Sequence, residues 1–310
     1  TPLYSSAASD VYKRQRRVTL REAVHRVVAL IGECAALEPE VRADAAREGR
    51  VLVAGVLQLS TGGLVHRMLV EPALHPGEAD AIEQALHRRL RGEPLAYAVG
   101  HAAFRDLVLR VDQRVLIPRP ETELVVEAAL RVTAGRPGGV AVDIGTGSGA
   151  IALALATEGR FDQVLATDLS ADALAVARAN AERLLRPSHP PVELRHGADL
   201  APLGGVQARV IVSNPPYIAY DEATALPASV RDWEPPVALF AAQGGLARYE
   251  VLVHGARAHL EGGGWLVLEL DANRAAPVAA MAAAAGYEQV QVAQDLAGRD
   301  RVLLAQSPAA

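Results

Sequence analysis

The sequence predicts an α/β fold in which a mainly parallel sheet, covered by helices on both faces, follows a small all-helical domain. Beyond residue 118, short apolar runs alternate with segments of helical character, which is the order of strands and crossover helices in a parallel sheet. Before residue 92, apolar residues recur at helical spacing. A chain of 310 residues is long enough for about two such domains.

The composition is that of an ordinary globular protein, with half of the residues apolar and 22% charged. The net charge of -5 argues against the basic surface that broad nucleic-acid binding requires, but it is compatible with a small basic patch. Cys34 is the only cysteine, so no disulfide can form within the chain. Because no run of 18 apolar residues and no signal-peptide pattern occurs, we expect a cytoplasmic protein without membrane contact.

Residues 1–15 differ from the rest of the chain. They contain Lys13, which is the only lysine of the chain, whereas arginine is used at every other position that carries a lysine or an arginine. We expect this stretch to be a foreign or disordered extension without a function.

The predicted helical domain covers residues 16–92. Its first helix begins at Thr19, where the threonine and Glu22 form a capping-box pattern ahead of an apolar helical repeat. Further helices are predicted over residues 40–47, 50–59, 62–70 and 76–91. The last of these helices ends in three arginines: Arg88, Arg89 and Arg91. They either stabilise the helix end through its dipole or contact a partner.

A β-hairpin linker is predicted over residues 93–117, from β-like runs at 107–111 and 115–117. The second domain, residues 118–310, opens with prolines and acidic residues that suit the start of a helix. Strands are then predicted over residues 140–144, 164–167, 192–195, 210–213, 265–270, 290–292 and 301–304, the last two as a hairpin. Helices are predicted between the strands over residues 150–156, 171–185 and 274–285.

A glycine-rich turn, residues 143–150, lies between the first strand of this domain and the helix after it. Gly145, Gly147 and Gly149 allow the backbone to turn tightly and to approach a ligand closely, with a helix N-terminus behind them. Asp168 ends the next strand, where a carboxylate accepts two ribose hydroxyls. This pattern fits a nicotinamide dinucleotide and S-adenosylmethionine equally well. Asp199, after the third strand, is either an adenine contact or part of a loop turn.

The four residues Asn214, Pro215, Pro216 and Tyr217 follow directly on the predicted strand 210–213. An asparagine oxygen and a rigid Pro-Pro backbone offer fixed acceptors beside an aromatic face, which suits a planar NH2 group. The nitrogen of such a group is a poor nucleophile because its lone pair is delocalised. An enzyme that alkylates it must therefore accept both N–H bonds and aim the lone pair. A nicotinamide enzyme has no need of paired amide acceptors here, so the motif favours the methyl donor S-adenosylmethionine.

Further motifs accompany these residues: Gly-Glu-Pro at 92–94, Leu-Ile-Pro-Arg-Pro-Glu-Thr-Glu at 116–123, Trp-Glu-Pro at 233–235, Gly-Gly-Leu at 244–246 and Gly-Arg-Asp-Arg at 298–301. In combination, the chain resembles the N5-glutamine methyltransferases that modify peptide-chain release factors, from about residue 19 to residue 304. The resemblance implies a Rossmann-like, class I S-adenosylmethionine-dependent methyltransferase domain, with a seven-stranded sheet that contains one antiparallel strand. It also implies that the helical domain helps to hold the release factor.

The resemblance implies a role for each matching residue. The side-chain oxygen of Asn214 and the carbonyl oxygen of Pro215 would each accept one N–H of the glutamine in a Gly-Gly-Gln sequence. Pro216 would lie beside them, and Tyr217 would stack on or flank the amide. The donor would contact Asp143, Gly145, Thr146, Gly147, Ser148, Gly149, Asp168, Asp199, Leu200 and Asn214. The methyl group would pass in line to the amide nitrogen and leave S-adenosylhomocysteine, without a metal or a strong base, in a monomeric enzyme.

Three alternatives are weaker. A paralogue could methylate a ribosomal-protein glutamine by the same chemistry. An adenine N6 methyltransferase would need a basic groove to hold nucleic acid and extract its base, which an acidic chain does not favour. A non-catalytic adaptor would have no need to keep Asn214 and Asp168. Two departures from the family pattern, Leu200 in place of an aromatic residue and Asp271 in place of a glycine, bear on donor affinity and fine specificity.

Overall fold

The structure is a computed structural model, which describes residues 18–309. The chain divides into two compact units, one ending at Val99 and the other beginning at Gly100. The extension predicted over residues 1–15 lies outside the described residues, and the domain limits predicted at residues 92 and 117 stay a prediction. In the described part, no single helix is long and apolar enough to cross a membrane. Only the bent pair Ala45–Val56 and Thr61–Val70 passes that test together, by length and composition.

The first unit is built from helices in its described part. They are α1 (Leu20–Glu33), α2 (Pro39–Ala43), α3 (Ala45–Val56), α4 (Thr61–Val70), α5 (Pro76–Leu90) and α6 (Leu95–Val99). The predicted capping box forms, because Glu22 N–H donates to Thr19 Oγ1 at 3.2 Å and Thr19 N–H donates to Glu22 Oε2 at 2.9 Å. The single helix predicted over residues 40–47 is wrong, because Asp44, at φ -106° and ψ 29°, separates α2 from α3.

The basic end of α5 is used within this unit. Arg89 is buried and donates to the Glu48 carboxylate at 2.7 Å. Arg88 forms an ion pair of 2.5 Å with Glu93, whose side chain is buried. Arg91 is exposed. Two of the three arginines therefore hold α5 to its neighbours around an apolar core, and Arg91 is left for the surface.

The second unit combines a hairpin with an α/β domain. The hairpin strands are β1 (His101–Phe104) and β2 (Leu107–Arg110). The other strands are β3 (Val140–Ile144), β4 (Gln163–Asp168), β5 (Val192–His196), β6 (Ala208–Ser213), β7 (Leu260–Glu269), β8 (Glu288–Gln294) and β9 (Asp300–Gln306). The α-helices are α7 (Pro120–Thr133), α8 (Ala150–Glu158), α9 (Ala171–Leu184), α10 (Ala228–Arg231), α11 (Pro236–Leu239), α12 (Ala247–Ala256) and α13 (Ala275–Ala284).

One predicted hairpin strand is wrong. β2 matches the run predicted at 107–111, but its partner is β1 and not the run at 115–117. Arg105 adopts φ 50° between β1 and β2, which lets the chain reverse within two residues. Residues 115–117 have irregular backbone instead, and the Ile117 N–H donates to the buried Glu234 carboxylate at 3.3 Å.

The sheet of the α/β domain has seven strands in the order β5-β4-β3-β6-β7-β9-β8. The strands from β3 to β7 pair in parallel, and β9 runs antiparallel to β7 and β8. The predicted seven-stranded sheet with one antiparallel strand is thus confirmed. Helices α7, α8 and α9 cover one face, whereas α12 and α13 cover the other. α12 is not predicted from the sequence, although its buried residues recur at helical spacing: Tyr249, Leu252, Val253 and Ala256.

The order of the strands reverses between β3 and β6, since β4 and β5 lie to one side and β6 and β7 to the other. At such a point the loops that leave the carboxyl ends of the strands diverge and open a crevice. Gly145, Asp168 and Asn214 stand at or directly beyond the carboxyl ends of β3, β4 and β6. The topology therefore brings three separately predicted segments to one edge of the sheet.

Candidate active site

A cavity with an empty volume of about 840 Å³ opens at this edge of the sheet. Its lining includes the predicted residues Gly145, Gly147, Asp168, Asp199, Asn214, Pro215 and Pro216. It also includes residues that are not predicted to line it, among them Arg114, Thr167 and Arg248. Across residues 18–309, no group of three or more His, Cys, Asp or Glu side chains could hold a metal ion. The predicted segments therefore form one site, which a single small ligand could occupy.

The glycine-rich turn exposes its backbone to the cavity. Gly145, Gly147 and Gly149 have φ angles of 74°, 55° and 86°, in the left-handed region that favours glycine. A Cβ atom on Gly145 or Gly147 would meet no atom within 4 Å, whereas one on Gly149 would lie 3.2 Å from Leu153 Cδ1. The first two glycines are therefore required by conformation and leave open space beside them, as a closely bound ligand needs. Gly149 is required by packing as well.

Asp143 lies beneath the turn and is fully buried. Its Oδ2 accepts from Thr146 Oγ1 at 2.7 Å and from Ala152 N–H at 3.1 Å, while Oδ1 has no partner among the described residues. Burial raises the pKa of Asp143 to about 7. Ser148 is also buried, and its carbonyl oxygen accepts from Asn180 Nδ2 at 2.9 Å. Asp143, Thr146 and Ser148 thus support the turn from below and are not part of the cavity lining.

Asp168 presents an acceptor-rich carboxylate at the end of β4. Its Oδ2 accepts from Gly147 N–H at 2.9 Å, and its Oδ1 accepts from Ser170 N–H at 2.8 Å. Each carboxylate oxygen offers two lone pairs, so one remains on each oxygen for a ligand hydroxyl. Thr167 Oγ1, in the same lining, is buried and has no partner in the described chain. These groups fit the neighbouring hydroxyls of a ribose.

The loop after β5 carries Asp199 and Leu200, which point to different surroundings. Both carboxylate oxygens of Asp199 accept from Arg248 Nη1, at 3.0 and 2.8 Å, and both residues line the cavity. Leu200 is buried, and a Cβ atom on Gly255 in α12 would overlap Leu200 Cδ1. Leu200 therefore packs against α12 and is not part of the cavity lining.

The Asn214 side chain is held at its nitrogen. Nδ2 donates to Thr122 Oγ1 at 3.1 Å, and Thr122 Oγ1 donates to Glu269 Oε2 at 2.6 Å. Within residues 18–309, nothing donates to Asn214 Oδ1 or to the carbonyl oxygen of Pro215. The Asn-Pro pair thus offers two acceptors to a ligand, as binding of an NH2 group requires.

A second cavity lies against the other side of the same motif. Its empty volume is about 560 Å³, and its lining comprises Leu116, Arg119, Asn214, Pro215, Pro216, Tyr217, Ile218, Leu226, Val230, Ala238 and Leu239. Tyr217 O–H donates to Glu269 Oε1 at 3.4 Å. Burial raises the pKa of Tyr217 above its usual value, so the phenol stays neutral and keeps its hydrogen. The Asn-Pro-Pro segment is therefore a wall shared by the two cavities.

Ion pairs between charged side chains fix the loops around these cavities. Arg119 donates to the buried Glu234 at 2.5 Å, which joins the segment before α7 to the segment before α11. Asp271, one of the two departures from the family pattern, accepts from Arg274 Nη1 at 2.9 Å and caps the turn that follows β7. Asp271, although it departs from the family pattern, thus stabilises this turn.

Thr122 and Glu269 contact the predicted amide-binding residues, but the sequence does not predict this role. The feature of the sequence that could have indicated this role is Glu269 itself, a single carboxylate near the end of the otherwise apolar run 265–270. A buried carboxylate is costly unless it is hydrogen bonded, which indicates a partner. Thr122 belongs to the motif at 116–123, but that motif does not indicate this role, because a threonine in the first turn of a helix is common.

Two family models match the chain. The model of the PrmC N-terminal domain matches residues 34–100, and the model of the methyltransferase small domain matches residues 122–228. The crystal structure of a methyltransferase from Pyrococcus furiosus is similar, with a TM-score of 0.51 and 21% sequence identity, over 66% of this chain and 91% of that chain. This structural likeness supports the methyltransferase fold alone.

Two relatives are similar over most of the chain. A release factor glutamine methyltransferase of Moorella thermoacetica is 40% identical over 289 residues, which are 93% of this chain and 98% of that protein. A protein of the same name from Cereibacter sphaeroides is 42% identical over 269 residues, which are 86% of this chain and 93% of that protein. The similarity therefore extends over both units of the structure.

Proposed function

The chain belongs to the release factor glutamine methyltransferases, and from that premise we propose its reaction in detail. It transfers a methyl group from S-adenosylmethionine to the side-chain amide nitrogen, N5, of the glutamine in the Gly-Gly-Gln sequence of a peptide-chain release factor. One observation carries this proposal. Asn214 Oδ1 and the Pro215 carbonyl oxygen have no donor in the described chain and lie in the wall shared by the two cavities. An amide NH2 group has two N–H bonds, which these two acceptors match.

The first cavity suits S-adenosylmethionine. Asp168 has a lone pair left on each oxygen for the ribose hydroxyls, and Gly145 and Gly147 allow close approach to the backbone of the turn. We assign the adenine to the side of the cavity that Asp199 lines. When bound, S-adenosylmethionine supplies a methyl group that its sulfonium charge has already activated.

The Asn-Pro pair binds and orients the substrate amide. The lone pair of an amide nitrogen is delocalised into the carbonyl group, so the nitrogen reacts poorly in solution. When Asn214 Oδ1 and the Pro215 carbonyl oxygen accept its two N–H bonds, they fix the plane of the NH2 group and increase the electron density on nitrogen. Tyr217 bounds the second cavity, where we assign the glutamine side chain. The surplus proton leaves after the transfer.

The acceptor follows from the relatives and from charge. The relatives at 40% and 42% identity are named for release factors, and we assign the same acceptor here. A net charge of -5 does not suit a groove for nucleic acid. The helical unit is proposed to help hold the release factor.

Methyl transfer to defined acceptors tests this function. The purified protein is incubated with methyl-labelled S-adenosylmethionine and, in separate reactions, with a release factor, a mixture of ribosomal proteins or duplex DNA. We expect label on the release factor, and none on a release factor whose Gly-Gly-Gln glutamine is replaced by glutamate, which has no amide nitrogen. Label on ribosomal proteins or DNA, with none on the release factor, refutes the proposal.

A further inference from the structure

We propose that Thr122 and Glu269 are positioning residues for this reaction. They form a directed chain of hydrogen bonds that holds the Asn214 amide with its oxygen toward the substrate. The inference rests on the proposed function and deepens it, since both residues act through the Asn-Pro-Pro-Tyr motif without being placed against the substrate themselves.

The direction of the chain follows from hydrogen-bonding chemistry. An ionised carboxylate only accepts, so Thr122 gives its single hydroxyl hydrogen to Glu269 Oε2, 2.6 Å away. Thr122 Oγ1 then has only lone pairs left for Asn214, and the amide must meet it with Nδ2, at 3.1 Å. Because Nδ2 is held against Thr122, Oδ1 of the same amide group faces away from Thr122 and toward the proposed substrate site. Without this chain the flipped amide would also be populated, and it would present N–H groups to the N–H groups of the substrate.

The fold brings these residues together from three elements. Ser213 of β6 pairs with Leu268 of β7, so Asn214 and Glu269 are the next residues along two adjacent parallel strands. Thr122, in the first turn of α7, bridges them. Thr122 is 4% exposed and Glu269 is 2% exposed, which shields the chain from competing water.

The same carboxylate also holds the other end of the motif. Tyr217 O–H donates to Oε1 of Glu269, whereas Thr122 uses Oε2. Burial raises the pKa of Glu269 to about 7, and the negative charge of Glu121 acts in the same direction. The hydrogen bond from Thr122 and the positive charge of Arg301 lower the pKa and offset part of this effect. A carboxylate buried with so few donors is costly to the fold. Its direct contact with Tyr217, together with its link to Asn214 through Thr122, accounts for its place there.

Removal of the Thr122 hydroxyl tests the positioning role. Thr122→Val keeps the shape of the side chain but removes the hydroxyl group, which breaks both hydrogen bonds between Asn214 and Glu269. At pH 8, where most Glu269 is ionised, we expect kcat for methyl transfer to fall about 10- to 100-fold. The Kd of S-adenosylmethionine should stay within about twofold, because its proposed contacts do not include Thr122. Thr122→Ser, which restores the hydroxyl, should recover most of the lost turnover.

Thr133→Val is the matched control. Thr133 is buried in the same helix, but its hydroxyl donates to the Ala129 carbonyl of that helix at 2.7 Å and has no contact with the site. Its kcat should stay near the wild-type value. The control separates the loss of the hydroxyl that contacts Asn214 from the loss of a buried hydroxyl elsewhere in α7.

Three results would overturn the proposal: a folded Thr122→Val protein with wild-type kcat, a Thr122→Ser protein as slow as Thr122→Val, or a Thr133→Val protein as slow as Thr122→Val. If Thr122→Val melts below the assay temperature, Thr122→Ala is compared with Thr122→Ser, since these differ at this position by the hydroxyl alone. All ratios are measured on whichever acceptor the wild type methylates. Absence of release-factor methylation by the wild type therefore refutes the proposed function, while the ratios still decide the positioning role.

Discussion

The Asn214 side chain is the acceptor whose removal should slow methyl transfer most without changing the backbone. Asn214→Ala deletes Oδ1, whereas the Pro215 carbonyl oxygen remains because it belongs to the main chain. The loss of one preorganised hydrogen-bonding group at a reacting centre costs about 10²- to 10³-fold in kcat, or about 3–4 kcal/mol. We therefore expect a decrease of that size, with some transfer left from the remaining acceptor.

Single-turnover transfer to the release factor measures this rate, and calorimetric titration measures the Kd of S-adenosylmethionine. The Kd should change by less than about threefold, because the ribose contacts assigned to Asp168 are intact. Asn273→Ala, which removes an exposed asparagine side chain, is the control and should leave both quantities unchanged. A rate within about threefold of wild type for Asn214→Ala would refute the assigned amide acceptor. A loss of rate matched by an equal loss of donor affinity would place Asn214 in the donor site alone.

Three further predictions concern the donor cavity and the carboxylate buried beneath its glycine-rich turn. Asp168→Ala should weaken donor binding at least about tenfold, because both acceptors for the ribose hydroxyls are lost; an unchanged Kd in calorimetry contradicts this. Gly147→Ala puts a Cβ atom at φ 55° in the lining of the cavity, with no other residue within 4 Å of it. The variant should lose about 1–2 kcal/mol in urea unfolding and should bind the donor more weakly, and an unchanged donor Kd contradicts the close approach assigned to this turn. Burial raises the pKa of Asp143 from 3.8 to about 7 in the fold, so the stability that its protonated form contributes is lost as the pH rises through 7. Relative to Asp143→Asn, the wild type should thus be about 3 kcal/mol less stable at pH 8 than at pH 5, and a difference independent of pH would contradict the raised pKa.

Much of the fold is predictable from the sequence because each buried strand is a short, nearly continuous apolar run. β3 and β6 are such runs, and their loops carry the motifs that lead to the sheet edge. β1 is missed as a strand because its sequence, His-Ala-Ala-Phe, has no β-branched residue. Its pairing with β2 is set by the turn at Arg105, whose left-handed backbone the residue type does not announce.

The candidate site is predictable where one residue type carries the chemistry by itself. Asn214 and Asp168 are identified by type and by position at the carboxyl end of a strand, and both line the cavity. Side-chain direction within a loop is not predictable in this way, and Leu200 packs against α12 whereas Asp199 beside it faces Arg248. The bridge from Thr122 to Glu269 depends on the packing of α7 against β7, which the motif at 116–123 does not reveal.

The central claim is that the Asn-Pro acceptors direct a methyl group to the amide nitrogen of a release-factor glutamine. Tandem mass spectrometry of the release-factor peptide that contains Gly-Gly-Gln tests it most directly, after reaction with S-adenosylmethionine and either the wild type or Asn214→Ala. The predicted result is one added methyl group on the glutamine side-chain nitrogen with the wild type, and little or none with Asn214→Ala. An unmodified glutamine after reaction with a folded, donor-binding wild type, or a methyl group on another residue, would contradict the claim.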